Sequence, residues 1–152
     1  MVGRSRILIK THLKRLMKNS QKNICIVGAS GLLGSNILKE ALARGYKVNG
    51  TLRDVNAPDK ATFLNALPNA DRNLRLFESE MADEESFIEA FSNVDCVFIA
   101  CLIPVYKGHT GKLAREMDDE QGYAEIIMPT VNGCLNILKS AARQGVKNIV
   151  IC

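Results

Sequence analysis

Asn23-Ile-Cys-Ile-Val-Gly28-Ala-Ser-Gly31-Leu-Leu-Gly34 decides the fold. Asn23 to Gly28 reads as a short buried strand, and Leu32 to Arg44 reads as a helix with Leu33, Ile37, Leu38, Ala41 and Leu42 on one face and Gly45 as its stop. Three glycines at spacings of three fill the junction. Gly28 lets the chain turn sharply off the strand, Gly31 keeps side chains away from whatever the turn faces, and Gly34 lets the helix pack closely on the strand.

A glycine turn between a strand and a helix leaves backbone N–H groups and the positive end of the helix dipole facing outward, where they attract phosphate. Gly28, Ala29, Ser30, Gly31, Leu32, Leu33 and Gly34 are therefore the candidate pyrophosphate-binding residues. A Walker A loop is excluded, because Gly34 is followed by Ser35 and Asn36 and not by Lys-Ser/Thr. The next strand, Tyr46 to Arg53, tests which dinucleotide is held. A free ribose 2′-hydroxyl is met by an acid about 20 residues beyond the motif, whereas a 2′-phosphate is met by an arginine. No acid lies between Glu40 and Asp54, and the strand ends Thr51-Leu52-Arg53. The Arg53 guanidinium can grip a phosphate bidentately, so NADP(H) is expected in preference to NAD(H). Asp54 beside it is the competing partner.

Outward from this unit, short apolar runs alternate with helical spacing, the pattern of a parallel sheet built from βαβ units. Residues 54–72, with Pro58 and Pro68, read as a loop holding a short helix around Lys60 to Ala66. Leu74 to Glu78 is a third strand. Asp83 is the expected cap of a short helix with Glu84 and Glu85 in its first turn and Phe87, Ile88 and Phe91 on its buried face. Asp95 to Cys101 is a fourth strand, Tyr106 to Gln121 a polar surface loop, and Tyr123 to Gln144 a helix that Pro129 either kinks or starts. Its apolar stripe is Ile127, Val131, Cys134, Leu135, Leu138 and Ala142; Gly145 ends it and Val146 to Cys152 is a fifth strand. The expected fold is α/β, a Rossmann-type parallel sheet of about five strands flanked by helices, with residues 23–152 as the dinucleotide-binding domain.

Composition agrees with one soluble domain: 152 residues, 47% apolar and 24% charged. The longest apolar stretch, Cys96 to Val105 with Pro104 inside it, falls short of the roughly 20 residues of a membrane helix. Residues 1–22 carry seven Lys or Arg and no acid, while the remainder carries thirteen bases against sixteen acids. That mildly acidic body does not suit nucleic acid, which needs a basic stripe. The basic leader is read as a disordered extension or as sequence upstream of a start at Met17, ahead of organellar targeting, and secretion is not expected because Ile7-Leu8-Ile9 is too short an apolar core. Cys25, Cys96, Cys101, Cys134 and Cys152 sit in apolar runs without a CxxC pair and read as reduced thiols of a cytoplasmic protein. His12 and His109 have neither metal spacing nor a nucleophile partner.

The chain from Asn23 to Cys152 resembles the N-terminal half of an extended short-chain dehydrogenase/reductase of the epimerase/dehydratase superfamily, nearest to the dihydroflavonol reductase and cinnamoyl-CoA reductase group. The resemblance rests on Gly28-Ala-Ser-Gly-Leu-Leu-Gly-Ser35, Arg44-Gly-Tyr-Lys-Val-Asn-Gly-Thr-Leu-Arg-Asp54, Asp83-Glu-Glu-Ser-Phe87, Asp95-Cys-Val-Phe98, Pro129-Thr-Val-Asn-Gly-Cys-Leu-Asn-Ile-Leu-Lys139 and Gly145-Val-Lys-Asn-Ile-Val150. It implies that Arg53 meets the 2′-phosphate, that Glu80-Met81 stand where the family has an Asp-Leu pair against the adenine, and that the backbone from Ala100 and Cys101 to Leu102 passes the nicotinamide ribose. Ala100-Cys-Leu-Ile-Pro104 is one residue longer than the family's Ala-Ser/Thr-Pro turn, and Thr130 takes the place of a structural Asn common in extended members.

The family's catalytic pair is Tyr-x-x-x-Lys, in which Tyr is the general acid/base and Lys lowers its pKa. Here Tyr46, Tyr106 and Tyr123 are followed four residues on by Gly50, Thr110 and Ile127, so the pair is absent. The expectation is a cofactor-binding half of an NADPH-dependent carbonyl or acyl-CoA reductase, truncated before its catalytic and substrate-binding part and self-associating through the edge of the fifth strand. The alternative is a non-catalytic dinucleotide sensor resembling NmrA-like members, which dispense with the Tyr-Lys pair.

Overall fold

A computed structural model of the chain describes residues 22–101 and 107–152. Most of the basic leader, residues 1–21, and residues 102–106, which include Pro104, lie outside the described residues. Five strands, β1 (Asn23–Val27), β2 (Lys47–Leu52), β3 (Leu74–Glu78), β4 (Cys96–Ile99) and β5 (Asn148–Ile151), form one sheet in the order β3-β2-β1-β4-β5. Every pairing is parallel, with Ile24 opposite Val48 and Cys96, and Cys96 opposite Asn148.

The helices are α1 (Leu32–Ala43), α2 (Pro58–Asn65), the one-turn α3 (Ala70–Asn73), α4 (Ile88–Phe91) entered through a 3-10 turn at Glu85–Phe87, α5 (Asp119–Gly122) and α6 (Met128–Arg143). Alternation along β1 divides the core between two faces. Ile24 and Ile26 pack with Leu38, Ala41, Leu42 and Val48 on the α1 side. Cys25 and Val27 pack with Phe87, Phe91, Val97, Ile99, Ile137 and Ala141 on the α4 and α6 side. Burial on both faces is why the central strands β1 and β4 read as apolar runs. The Phe87 and Phe91 rings stack at 5.4 Å, worth roughly 0.5–1.5 kcal/mol beyond their burial. Buried Asn49 on β2 donates from Nδ2 to Ala90 O at 2.7 Å and ties α4 to the sheet.

The architecture follows the sequence expectation; its local differences include a second short helix, Ala70–Asn73, within the stretch read as loop, and four that bear on α1, α4, α5 and α6. Leu33 is 46% exposed and gives its place on the buried face of α1 to Gly34, because the helix lies against the glycine turn at that point. Ile88 is 39% exposed, since the 3-10 entry rotates it away from Phe87 and Phe91. The polar stretch expected as a loop already contains α5: Asp118 accepts from Gln121 N at 2.8 Å, and Asp119 and Glu120 stand in the first turn, where the dipole favours acids. A single π-turn, Tyr123–Ile127, then joins α5 to α6 just ahead of Pro129. Proline lacks the N–H that a regular helix would use there, and the wider turn accommodates it.

The fourth difference is the orientation of α6. Its buried residues are Gly133, Ile137, Ser140 and Ala141, whereas Ile127, Val131 and Leu135 of the expected stripe are 51%, 43% and 44% exposed. The row that faces the sheet is Ile137 flanked by the small residues Gly133, Ser140 and Ala141.

Candidate functional site

Strand order reverses between β1 and β4, whose connections run to opposite sides, and ligands of open α/β sheets bind in the crevice that this leaves at the carboxyl ends of the strands. A cleft of about 900 Å³ opens there, within the usual range of ligand sites. Its floor is the glycine turn.

Gly28 holds φ +83°, and a Cβ on it would stand 2.7 Å from Cys101 Cβ. Only glycine permits that turn. The turn is fixed from β2: Ala29 N donates to Thr51 O at 3.0 Å and Gly28 N to Thr51 Oγ1 at 3.3 Å. Gly31 N returns to Gly28 O at 3.1 Å, and Gly31 itself caps α1 without any side-chain cap. Leu32, Leu33 and Gly34 are the first residues of the helix, so their N–H groups have no intrahelical acceptor. No acid stands in that first turn. The arrangement suits an anion: uncapped donors, a helix dipole and no competing carboxylate.

Gly28, Ser30 and Gly31 line the cleft. Ala29 does not; it is wholly buried in the α1-side core and its N–H already serves Thr51. Leu32, Leu33 and Gly34 stand one step further along α1, with the Leu32 side chain 83% exposed. Arg53 lines the cleft just past the end of β2. Asp54 is engaged locally, accepting from Asn56 N at 2.8 Å, and among the described residues Arg53 makes no ion pair. Its guanidinium is thus a free cation at the cleft.

Glu80 and Met81 line the cleft from beyond β3, and Ala100 and Cys101 from beyond β4. The Glu80 carboxylate turns back on its own backbone, accepting from Met81 N at 3.0 Å through Oε1. Cys101 Sγ lies 3.5 Å from Met81 Sδ, so the two arms of the cleft touch. Burial pushes the Cys101 thiol up to about 11, which keeps it neutral near pH 7. The remainder of the nicotinamide-side turn expected from Leu102 to Pro104 lies outside the described residues.

The sequence reading left out one wall. Pro129, Asn132, Gly133 and Asn136 of α6 face the cleft with the neighbouring Thr130. These four stand at i, i+3, i+4 and i+7, a single helix face, and that spacing among small and polar residues was the available signal. Among the described residues no cluster of His, Cys, Asp or Glu could hold a metal ion, and no helix is long and apolar enough to cross a membrane.

Comparison with known proteins shows relatives in sequence and in fold. The chain is 35% identical over 131 residues to dihydroflavonol 4-reductase from Dianthus caryophyllus, an alignment covering 85% of this chain and 33% of that reductase. It spans about a third of the length of the curated relatives it matches. Yeast methylglyoxal/isovaleraldehyde reductase Gre2, solved with NADPH, superposes with a TM-score of 0.62 at 19% identity over 85% of this chain and 36% of its own. NmrA, a negative transcriptional regulator solved with NAD, superposes with a TM-score of 0.59 at 17% identity over 87% and 33% of the respective chains. At those identities the two structures speak for the fold alone. The sequence profile of the NmrA-like family matches residues 20–122, which include the glycine turn, Arg53 and both arms of the cleft, and the chain belongs to that family.

Proposed function

We propose that this chain is the NADP(H)-binding part of a reductase that acts on a carbonyl or acyl-CoA substrate. The observation that carries the reading is the pairing of an uncapped glycine turn with an unpaired arginine at the end of the adjoining strand. Similarity to dihydroflavonol reductases and the presence of NADPH in the Gre2 structure support it. The residues fit the group, because positions 28 and 34, where a Cβ would block the turn, are both glycine and no acid stands at the helix end.

In this reading Gly31 and the first turn of α1 hold the pyrophosphate, and Arg53 grips the 2′-phosphate. Ser79, Glu80 and Met81 bound the adenosine, and Ala100 and Cys101 pass the nicotinamide side. A bound nicotinamide cofactor supplies hydride chemistry; the residues described here bind it, orient it and exclude water. Free cysteines in apolar runs support a reducing compartment, and the reading takes this to be the cytoplasm.

Titration of the purified chain with NADPH and NADH tests the reading. At least tenfold tighter NADPH binding is expected, and equal affinities overturn the cofactor preference. The match to the NmrA-like profile favours a second reading, a dinucleotide sensor without turnover. Sequencing the transcript beyond Cys152 separates the two: an in-frame Tyr-x-x-x-Lys supports the reductase, and a stop codon supports the sensor.

A further inference from the structure

Strand order assigns the two halves of the cleft. The glycine turn lies at the end of β1, Arg53 at the end of β2, and the segment after β3 borders β2 on the side away from β4. With the phosphates at β1 and Arg53 on the 2′-phosphate, the adenosine half falls on the β2–β3 side, against Ser79 to Ala82.

That segment is an irregular turn whose own hydrogen bonds leave it incomplete. Ser79 N extends the sheet ladder to Leu52 O at 2.8 Å, and Asp83 N closes on Glu80 O at 3.0 Å. Ser86 Oγ accepts from Glu80 N at 3.0 Å and lies 2.7 Å from Asp83 O and 3.1 Å from Glu80 O. Two successive carbonyls, Met81 O and Ala82 O, are met from outside the segment. Asn136 of α6 supplies both: its Nδ2 stands 3.0 Å from Met81 O and 3.3 Å from Ala82 O. An amide nitrogen carries two hydrogens, so one side chain serves two carbonyls.

One turn earlier, Gly133 makes the approach feasible. A Cβ there would stand 2.6 Å from Met81 Cε and 3.0 Å from Met81 Cβ. Further along the same helix, Arg143 Nη1 pairs with Glu84 Oε1 at 2.9 Å. Helix α6 therefore grips the segment at three points along its length, and the middle grip, Asn136, itself lines the cleft.

We infer that Asn136 is a positioning residue for the adenosine half of the dinucleotide, acting through the Met81 and Ala82 carbonyls to fix the wall against which the base rests. This inference rests on the dinucleotide reading above. Asn136→Ala removes both donors but leaves carbonyls that water can reach, so the wall loosens while the glycine turn, held from β2 by Thr51, stays in place. Asn136→Asp sets a carboxylate against two carbonyls and loosens it further. Asn136→Gln keeps the donors.

The test measures calorimetric binding of 2′,5′-ADP and of inorganic pyrophosphate, with amide exchange at Met81 and Asp83 followed in the unliganded chain. Expected for Asn136→Ala are a roughly tenfold loss for 2′,5′-ADP, pyrophosphate within twofold of wild type, and faster exchange at both amides. Asn136→Asp is expected to lose more and Asn136→Gln to recover part of the loss. Equal losses for both ligands, or none for either, overturn the positioning role. Failure of the wild-type chain to bind either ligand overturns the dinucleotide reading and the affinity claim with it, whereas the grip on the wall is judged separately by exchange: unchanged rates in Asn136→Ala overturn it.

Discussion

A Cβ at position 34 would fall on the carbonyl oxygen of Gly28 and stand 3.1 Å from Ala29 Cα, so α1 rests directly on the turn it follows. Both sides of that contact are backbone, and no rotamer change can relieve it. Gly34→Ala is expected to destabilise the chain by about 1–2 kcal/mol, an overpacking cost partly offset by the better helix propensity of alanine. It should also weaken NADPH binding more than tenfold, because the displaced helix end no longer aims its N–H groups. Gly122→Ala is the control, since nothing lies within 4 Å of a Cβ there and φ is −60°. Urea melts of the two variants should separate clearly, and coincident midpoints would remove the close-approach argument.

In the proposed reading, Arg53 alone carries the preference for NADPH. Its carboxylate neighbour Asp54 is occupied by Asn56 N, so among the described residues no carboxylate pairs with the guanidinium, which is left for a ligand phosphate. A charge-assisted contact of this type contributes about 1.5–3 kcal/mol, or roughly ten- to a hundredfold in affinity. Arg53→Ala should lose that much for NADPH and leave NADH within twofold, as read by fluorescence titration. A parallel loss for both cofactors would mean that Arg53 shapes the cleft and does not read the 2′-phosphate.

The features legible in the sequence were those encoded contiguously. Strands buried on both faces announce themselves as apolar runs between glycines, and Gly28 to Gly34 with Arg53 can be read as one βαβ unit. Helix α6 was legible as a helix but not in its orientation. Hydrophobicity selected Ile127, Val131 and Leu135, which are exposed, while the sheet and cleft take Gly133, Asn136, Ile137 and Ala141 from the opposite side. Close approach to Met81 needs small residues and the cleft wall needs a donor, and neither requirement raises local hydrophobicity. The start of α5 was missed for a related reason: Asp118, Asp119 and Glu120 look like loop acids until their capping role is seen.

Glu125 should give the fold an acid-sensitive joint. Its side chain is 7% exposed; it accepts from Gln121 Nε2 at 2.7 Å and Thr110 Oγ1 at 2.9 Å, with His109 Nδ1 at 3.5 Å. The Gln121 hydrogen bond chiefly, with those of Thr110 and the charge of His109, holds the carboxyl below the usual carboxylate range. A depressed folded-state value means that the unfolded chain binds the proton first, so the stabilisation is complete above the ordinary value of 4.5 and is lost as pH falls through the lower folded value. Denaturant midpoints of wild type and Glu125→Gln should therefore converge as pH falls below the ordinary value of 4.5. A constant difference over that window would sink the assignment.

Thiol labelling should rank the cysteines by environment. Cys152 is exposed, Cys101 is pushed up to about 11 by burial, and the fully buried Cys25 is pushed further. The thiolate is the reactive species, so in native buffer near pH 8 iodoacetamide should modify Cys152 first and Cys25 last. Because Cys101 lines the cleft, NADPH should slow its labelling further while leaving Cys152 unchanged. Equal protection of both sites by NADPH would indicate a global change in the chain and not a ligand lying against Cys101.

Among the described residues strand β5 pairs on one side only, with β4, and presents Val150 and Ile151 at 41% and 55% exposure. An apolar edge strand with free N–H and C=O groups is a template for pairing with another chain. Sedimentation velocity on this 152-residue chain should show concentration-dependent association, with a melting temperature below about 55 °C, toward the lower part of the mesophile range. Ile151→Lys places a charge on the edge without touching the core, and natural proteins blunt edges in this way. That variant should sediment closer to a monomer and melt within a few degrees of wild type. Unchanged association in Ile151→Lys would move the contact away from β5, and the exposed row Val131 and Leu135 on α6 would be the next surface to charge.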